Sequence, residues 1–243
     1  ASPRRPRRTP DDTPGAAPSP AAVRTLVCPG RAGSLDETFC RWLLEDDGVV
    51  VEPGGTHKEV VRRFSEATVV PPGLAGVVDR GGHPDDVLAR HAQHVVVIPY
   101  FELESYLCHP RLLTPALRAR DLDFPEDDLL DHLTQSARAT YMPAVNVHLT
   151  HQPRPGGRAR LELMAQQYAD QLRRADELIA AQDVEALLRY FPGRRLASRL
   201  SRQLDFLSPQ HVLETLMRVK DVRQSAPPLV ALRDAILDRL STA

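Results

Sequence analysis

Apolar residues follow two rhythms along this chain. Between residues 24 and 98 they come in short runs: Leu26-Val27-Cys28, Val49-Val50-Val51, Leu74-Ala75-Gly76-Val77-Val78 and Val95-Val96-Val97-Ile98. Each run is too brief for a helix and most are rich in β-branched residues, so they predict four buried strands. Between them the spacing changes to three and four. Leu35, Phe39, Trp42 and Leu43 form one apolar stripe behind Ser34, a residue suited to capping a helix, and Val60, Val61 and Phe64 form another behind Thr56. A short helix is expected near Pro84 to His91, and a further one carrying Glu102 to Cys108. Strands that alternate with helices build βαβ units and a parallel sheet, with the carboxyl ends of the strands on one edge.

After Pro110 the strand rhythm stops. Helices are predicted over Phe124 to Tyr141, Arg158 to Ala181, Val184 to Tyr190, Arg194 to Phe206, Pro209 to Val219 and Leu229 to Leu240, with a Pro/Gly-rich loop or hinge from Asn146 to Gly157. The expected fold class is therefore α/β: a small parallel sheet of about four strands with flanking helices, followed by an all-helical C-terminal region. The organisation reads as a tail over 1–22, an α/β domain over 23–110 and a helical region over 111–243.

Composition adds limits. A chain of 243 residues with 42% hydrophobic content can bury a sizeable core. No apolar run reaches the roughly 18 residues that a membrane span needs. Residues 1–22 hold six prolines and four arginines with no hydrophobic stretch, so they predict a disordered leader or basic arm rather than a secretory signal, and a cytoplasmic location is expected. Three cysteines without a close pair argue against a disulfide framework. The net charge of −1 hides an uneven distribution: residues 154 to 202 carry ten arginines against six acids.

The strand edge gathers acids. Asp79 ends the third strand, Glu102 and Glu104 follow the fourth, and Asp36 opens the first helix, with Asp85 and Asp86 nearby. Hard oxygen donors of this kind hold Mg²⁺ and support phosphoryl transfer; the same acids could equally cap helices and solvate an edge. On a helix Glu102 and Glu104 would stand about 200° apart, so only one could face the site, and Glu104 is the expected one. The loop Gly30-Arg31-Ala32-Gly33-Ser34 opens a helix after a strand, which makes Gly30, Gly33 and Ser34 candidates for binding an anion, or a plain tight turn. No Walker-type loop is present, so the residues read here give no ATPase. The histidines and cysteines lack zinc spacing. Arg194, Arg195, Arg199 and Arg202 could form a phosphate-contacting stripe or an ordinary solvated, salt-bridged face.

One family resembles this order of motifs. Leu26-Val27-Cys28-Pro29-Gly30 with Asp36 and Phe39, then Gly76-Val77-Val78-Asp79-Arg80-Gly81, then Val97-Ile98-Pro99-Tyr100-Phe101-Glu102-Leu103-Glu104-Ser105-Tyr106-Leu107-Cys108-His109-Pro110, is similar to the TOPRIM-like domain that accompanies AAA-type ATPases, as in the OLD (overcoming lysogenization defect) nucleases and relatives in phage defence. Phe191-Pro192-Gly193-Arg194 resembles the family's later Pro-Gly-Lys segment. The resemblance implies Mg²⁺ as cofactor, nucleic acid and an AAA-type ATPase as partners, Asp36, Asp79 and Glu104 as catalytic residues, and Asp79 and Glu104 as metal ligands.

The departures are specific. The family's glutamate before the first glycine, its general acid/base, is Pro29 here, or Cys28 if the loop is shifted, and the second acid of its Asp-x-Asp pair is Gly81. The lysine of Pro-Gly-Lys is Arg194, which keeps charge without easily giving up a proton. Three readings follow: a degenerate module that binds nucleic acid or a partner ATPase, a Mg²⁺-dependent nuclease working through Asp79 and Glu104 with Asp85 or Asp86 as substitutes, or an unrelated α/β function.

Overall fold

The computed structural model describes residues 23–83, 85–90, 93–152, 160–204 and 208–242. Four parallel strands, β1 (Arg24–Cys28), β2 (Val49–Pro53), β3 (Leu74–Val78) and β4 (Val95–Val97), form one sheet in the order β2-β1-β3-β4. The register pairs Leu26 with Val51 and Ala75, and Val77 with Val96. Among these strands stand α1 (Leu35–Leu43), α2 (His57–Ser65) and α3 (Asp85–Ala89). Pro84 and His91, the expected ends of the third helix, lie outside the described residues.

α1 and α2 start where their cap chemistry dictates. The Ser34 hydroxyl accepts from the Glu37 amide at 3.3 Å, and Thr56 and Glu59 exchange side-chain and backbone bonds in a reciprocal capping box. The period-two pattern then sorts the sheet into faces. Val27, Val78 and Val95 pack against Val60 and Phe64 of α2. Gly76 lies on that face because the Phe64 ring occupies the place a Cβ would need, 2.7 Å away. Leu26, Cys28, Ala75, Val77 and Val96 face the opposite way, into the main core.

That second face is closed by the far end of the chain. The helical region contains α4 (Pro110–Arg118), α5 (Glu126–Ala139), α6 (Tyr141–Thr150), α7 (Arg160–Ala181), α8 (Val184–Tyr190), α9 (Gly193–Gln203), α10 (Pro209–Leu216), α11 (Val222–Ser225) and α12 (Pro227–Thr242). α12 packs across β1, β3 and β4 through Leu229, Leu232, Ile236 and Leu240, all buried. One continuous hydrophobic cluster runs from the sheet through α1 into α4, α5, α8 and α9. The change of rhythm near Pro110 marks a change of element type and does not divide this core.

Three local expectations give way. The helix expected over Phe124 to Tyr141 is α5, which ends at Ala139, and a further, unexpected helix, α6, begins at Tyr141. The loop placed from Asn146 begins later, because α6 continues to Thr150; residues 153–157 lie outside the described residues. Residues 110–118 form a helix despite Pro110 and Pro115: Pro110 fills a first-turn position whose missing N–H costs nothing, and Leu112, Leu113, Ala116 and Leu117 bury one face. Among the described residues no helix is long and apolar enough to cross a membrane.

Candidate functional site

The strand order leaves a crevice between the carboxyl ends of β1 and β3, where the chain runs from β1 to one side of the sheet and returns on the other. Asp36, from the first turn of α1, and Asp79, directly after β3, flank it. Asp79 Oδ1 accepts the Leu103 amide at 3.1 Å, which ties the acid to the segment after β4. That segment, Leu103–Cys108, is a tight 3₁₀ turn rather than the expected α-helix. Glu102 precedes it with extended backbone, φ −152° and ψ 170°. The 200° separation therefore does not apply, and both glutamates reach the same group.

That group is Arg194. Its Nη2 and Nε donate to Glu104 Oε1 at 2.7 and 3.0 Å, and its backbone N–H donates to Glu102 Oε1. The contact spans about ninety residues of sequence and is made by packing: Phe191, Pro192 and Gly193 are buried where α9 meets the 3₁₀ turn. A Cβ on Gly193 would stand 2.3 Å from the Ser105 nitrogen, so only glycine lets the two segments approach this closely. The sequence offered Arg194 as part of a phosphate-contacting or salt-bridged stripe and as the counterpart of the family's lysine; the structure pairs it with Glu104 at the edge of the acidic centre, its side chain still 76% exposed.

The electrostatics follow from burial and from like charges held together. Burial pushes the Asp36 carboxyl up to about 6, with Glu104 and Glu102 adding to the rise and Arg194 opposing it. Asp79 is driven well above the ordinary carboxylate range, first by burial and then by Asp36, Glu102 and Glu104, against the Leu103 hydrogen bond. Burial also raises Glu102. Glu104 exposes only 6% of its side chain, yet it keeps a guanidinium beside it, and that contact raises Arg194 in turn. Among the described residues the centre thus sets four carboxylates against Arg194, with Arg195 also acting on Glu102, and Asp36 and Asp79 retain protons above the pH at which free aspartate ionises.

Hard carboxylate oxygens are the donors Mg²⁺ prefers, so the residue types fit that ion. Among the described residues, however, no three His, Cys, Asp or Glu side chains are arranged to hold a metal, and Arg194 engages two of the four acids. Asp85 and Asp86, expected as substitute ligands, are drawn elsewhere: Asp85 bonds Arg80 and Arg189, and Asp86 faces Arg90 at 3.7 Å. Arg80 accordingly does not cover Asp79.

The anion loop is also closed. Gly30 has φ +100° and Gly33 φ +77°, but the amides of Gly30, Gly33 and Ser34 already have acceptors. Gly30 donates to the Gly55 carbonyl, Gly33 to the Glu37 carboxylate at 2.6 Å, and Ser34 to the Arg31 carbonyl at 2.9 Å. Glu37, nearly buried, supplies the negative charge that an external anion would have brought. Gly30, Gly33 and Ser34 build a self-satisfied turn. Arg195, Arg199 and Arg202, by contrast, lie exposed along one side of α9, and none has a carboxylate within ion-pairing distance among the described residues.

Comparisons of the chain with protein-family models, with curated proteins and with solved structures found no match. What the chain does is therefore argued from its own residues. Sequence reasoning missed Glu102 as a full partner in the centre; the signal was present in Ser105, whose hydroxyl accepts the Glu102 amide at 3.3 Å and marks a cap rather than a helix interior.

Proposed function

We propose that this chain is a TOPRIM-like module of the OLD type whose acidic centre is degenerate, and that it binds nucleic-acid backbone along α9. The observation that carries the reading is the position of Arg194. The segment that resembles the family's Pro-Gly-Lys lies far from the strands in sequence and yet bonds Glu102 and Glu104 and acts electrostatically on Asp36, which supports a shared centre. The guanidinium neutralises part of the acidic group in place of an added cation. Pro29 stands where the resemblance expects a proton-transfer carboxylate, so the hydrolytic set is incomplete. The neighbouring face of α9 carries Arg195, Arg199 and Arg202 free to meet phosphates. An AAA-type ATPase partner follows from the resemblance alone.

The test is binding of a short duplex followed by fluorescence anisotropy across a salt series. The expected result is affinity that falls steeply with salt, with Arg195→Ala and Arg199→Ala together weakening it and reducing the slope of log K against log salt by about 2. Salt-independent binding, or binding indifferent to both changes, would remove the reading.

A second reading is favoured by the convergence of four carboxylates and by Arg80 turning away from Asp79. In it the chain is a Mg²⁺-dependent nuclease, with Asp79 and Glu104 holding the ion and Asp36 and Glu102 beside them. The ion would activate water and offset charge on the phosphate. Nicking of plasmid DNA or cleavage of RNA in Mg²⁺ or Mn²⁺, abolished by Asp79→Ala, would favour this reading over the first.

A further inference from the structure

Residues 79 and 80 point to opposite chemistries. Asp79 faces the acidic centre, while Arg80 enters a separate cavity of about 270 Å³ formed by the loop after β3 together with α6, α7 and α8. Three guanidiniums from three elements line that cavity: Arg80 after β3, Arg174 on α7 and Arg189 on α8. Among the described residues a single lining carboxylate, Asp85, answers them. It bonds Arg80, and it receives Arg189 Nη2 on both oxygens, at 3.0 and 3.3 Å. Arg174 has no carboxylate partner among the described residues. Among the described residues, then, the cavity carries two more positive charges than negative.

The Asp85 contacts show what the site accepts. Its carboxylate takes one Nη from each of two guanidiniums, as oxygens of a tetrahedral oxyanion would. Asp85 is a weak tenant, with 69% of its side chain exposed and a place in the first turn of a five-residue helix. Arg80 is the fixed element: its side chain is only 16% exposed, and its buried Nε has no acceptor among the described residues. The wall behind is rigid and uncharged. His148 stacks on Tyr190 at 4.0 Å, its Nε2 within 2.9 Å of the Tyr190 carbonyl, and burial holds the imidazole below its ordinary pKa. Three arginines around an aromatic wall, with a displaceable carboxylate as the only counter-charge among the described residues, are built for a dianion rather than a monoanion.

We infer that the cavity lined by Arg80, Arg174 and Arg189 binds a phosphate dianion, either free or as the terminal phosphomonoester of a nucleotide chain. The site lies apart from the Arg195 and Arg199 face of α9, and its ligand is recognised whether or not that face binds nucleic acid. On entry the phosphate takes over Arg80 and Arg189 from Asp85 and adds Arg174, and Asp85 swings into solvent.

Calorimetric titration of the full chain tests this with three probes at low salt: inorganic phosphate, a short oligonucleotide bearing a 5′-phosphate, and the same oligonucleotide with a 5′-hydroxyl. Saturable binding of inorganic phosphate supports the free-ion form. A preference of more than about tenfold for the 5′-phosphate over the 5′-hydroxyl strand supports the terminal form, and any contribution of α9 cancels between those strands. In either case Arg174→Gln and Arg189→Gln are each expected to weaken binding by about tenfold or more, and Asp85→Asn to tighten it several-fold. Arg174 and Asp85 are surface side chains, so these variants should keep the thermal unfolding profile of the parent. Absence of phosphate binding at millimolar concentration together with no preference between the two strands would overturn the inference. So would binding that Arg174→Gln and Asp85→Asn leave unchanged.

Discussion

One guanidinium sets the charge balance of the acidic centre, and the pH response of the fold follows from it. Asp36 holds its proton more tightly in the folded chain, up to about 6, than in the unfolded chain, where 3.8 applies. Its contribution to stability is therefore full below pH 4 and is lost as the pH rises through 6, on the order of 2–3 kcal/mol. Asp36→Asn should remove that loss: urea midpoints are expected to rise at pH 8 and to change little at pH 4. Arg194→Ala should act with the opposite sign. It strands the nearly buried Glu104 without its partner, and a destabilisation of about 1–2 kcal/mol is expected at pH 8, discounted because Arg194 itself is largely exposed. If both variants moved the midpoint in the same direction at pH 8, the charge balance described here would be wrong. At this scale the sequence was informative about which acids matter. Asp36, Asp79 and Glu104 all reach the centre, because each lies within a few residues of a strand end and the sheet delivers strand ends to one edge. Only the Pro-Gly-Lys resemblance hinted at Arg194 as their neighbour, since periodicity reports which face a helix buries and says nothing about which distant segment its N-terminus will touch.

The decisive element is the junction of α9 with the 3₁₀ turn. Gly193 leaves no room for a side chain against Ser105, and Cys108 Sγ lies 3.5 Å from the Gly193 carbonyl, so the two segments interlock through backbone. Gly193→Ala should force them apart at a cost of about 1–3 kcal/mol and withdraw Arg194 from both glutamates. Asp36→Asn added to Gly193→Ala should then recover more stability at pH 8 than Asp36→Asn recovers in the parent, because the repulsion it relieves has lost its cation. Equal recovery in both backgrounds would show that the junction does not position Arg194. Helix and strand rhythms were readable because they repeat; this junction was not, because a Gly before two arginines reads as a helix start whether or not anything packs on it. The same limit explains Glu102. The string Glu-Leu-Glu-Ser-Tyr-Leu has helical spacing, and only the tertiary hydrogen bonds to Asp79 and Arg194 decide that the turn is tight and that its first glutamate stays outside it.

At the level of the whole molecule, the α/β and helical parts share one core, and residues of the last helices are bound to the first. Arg223 donates to the Trp42 carbonyl at 2.7 Å and to the carboxylates of Glu45 and Asp46, while Arg233 forks onto Asp47. Residues 23–110 alone would expose the face made by Leu26, Ala75, Val77 and Val96, so that fragment is expected to bind a hydrophobic dye and to unfold without a cooperative transition, whereas the full chain unfolds cooperatively. A sharp transition in the fragment would contradict this. The sheet itself was visible in the sequence; its cover was not, because α12 shows a helical pattern without naming the surface it will meet. That cover also has a history in time. On the ribosome the four strands emerge early, and well over a hundred residues must follow β4 before α12 exists to shield them. During that interval the nascent sheet presents an oily, half-finished surface, so synthesis of this protein should depend on chaperones that hold such surfaces, and refolding from denaturant should be slow and sensitive to concentration.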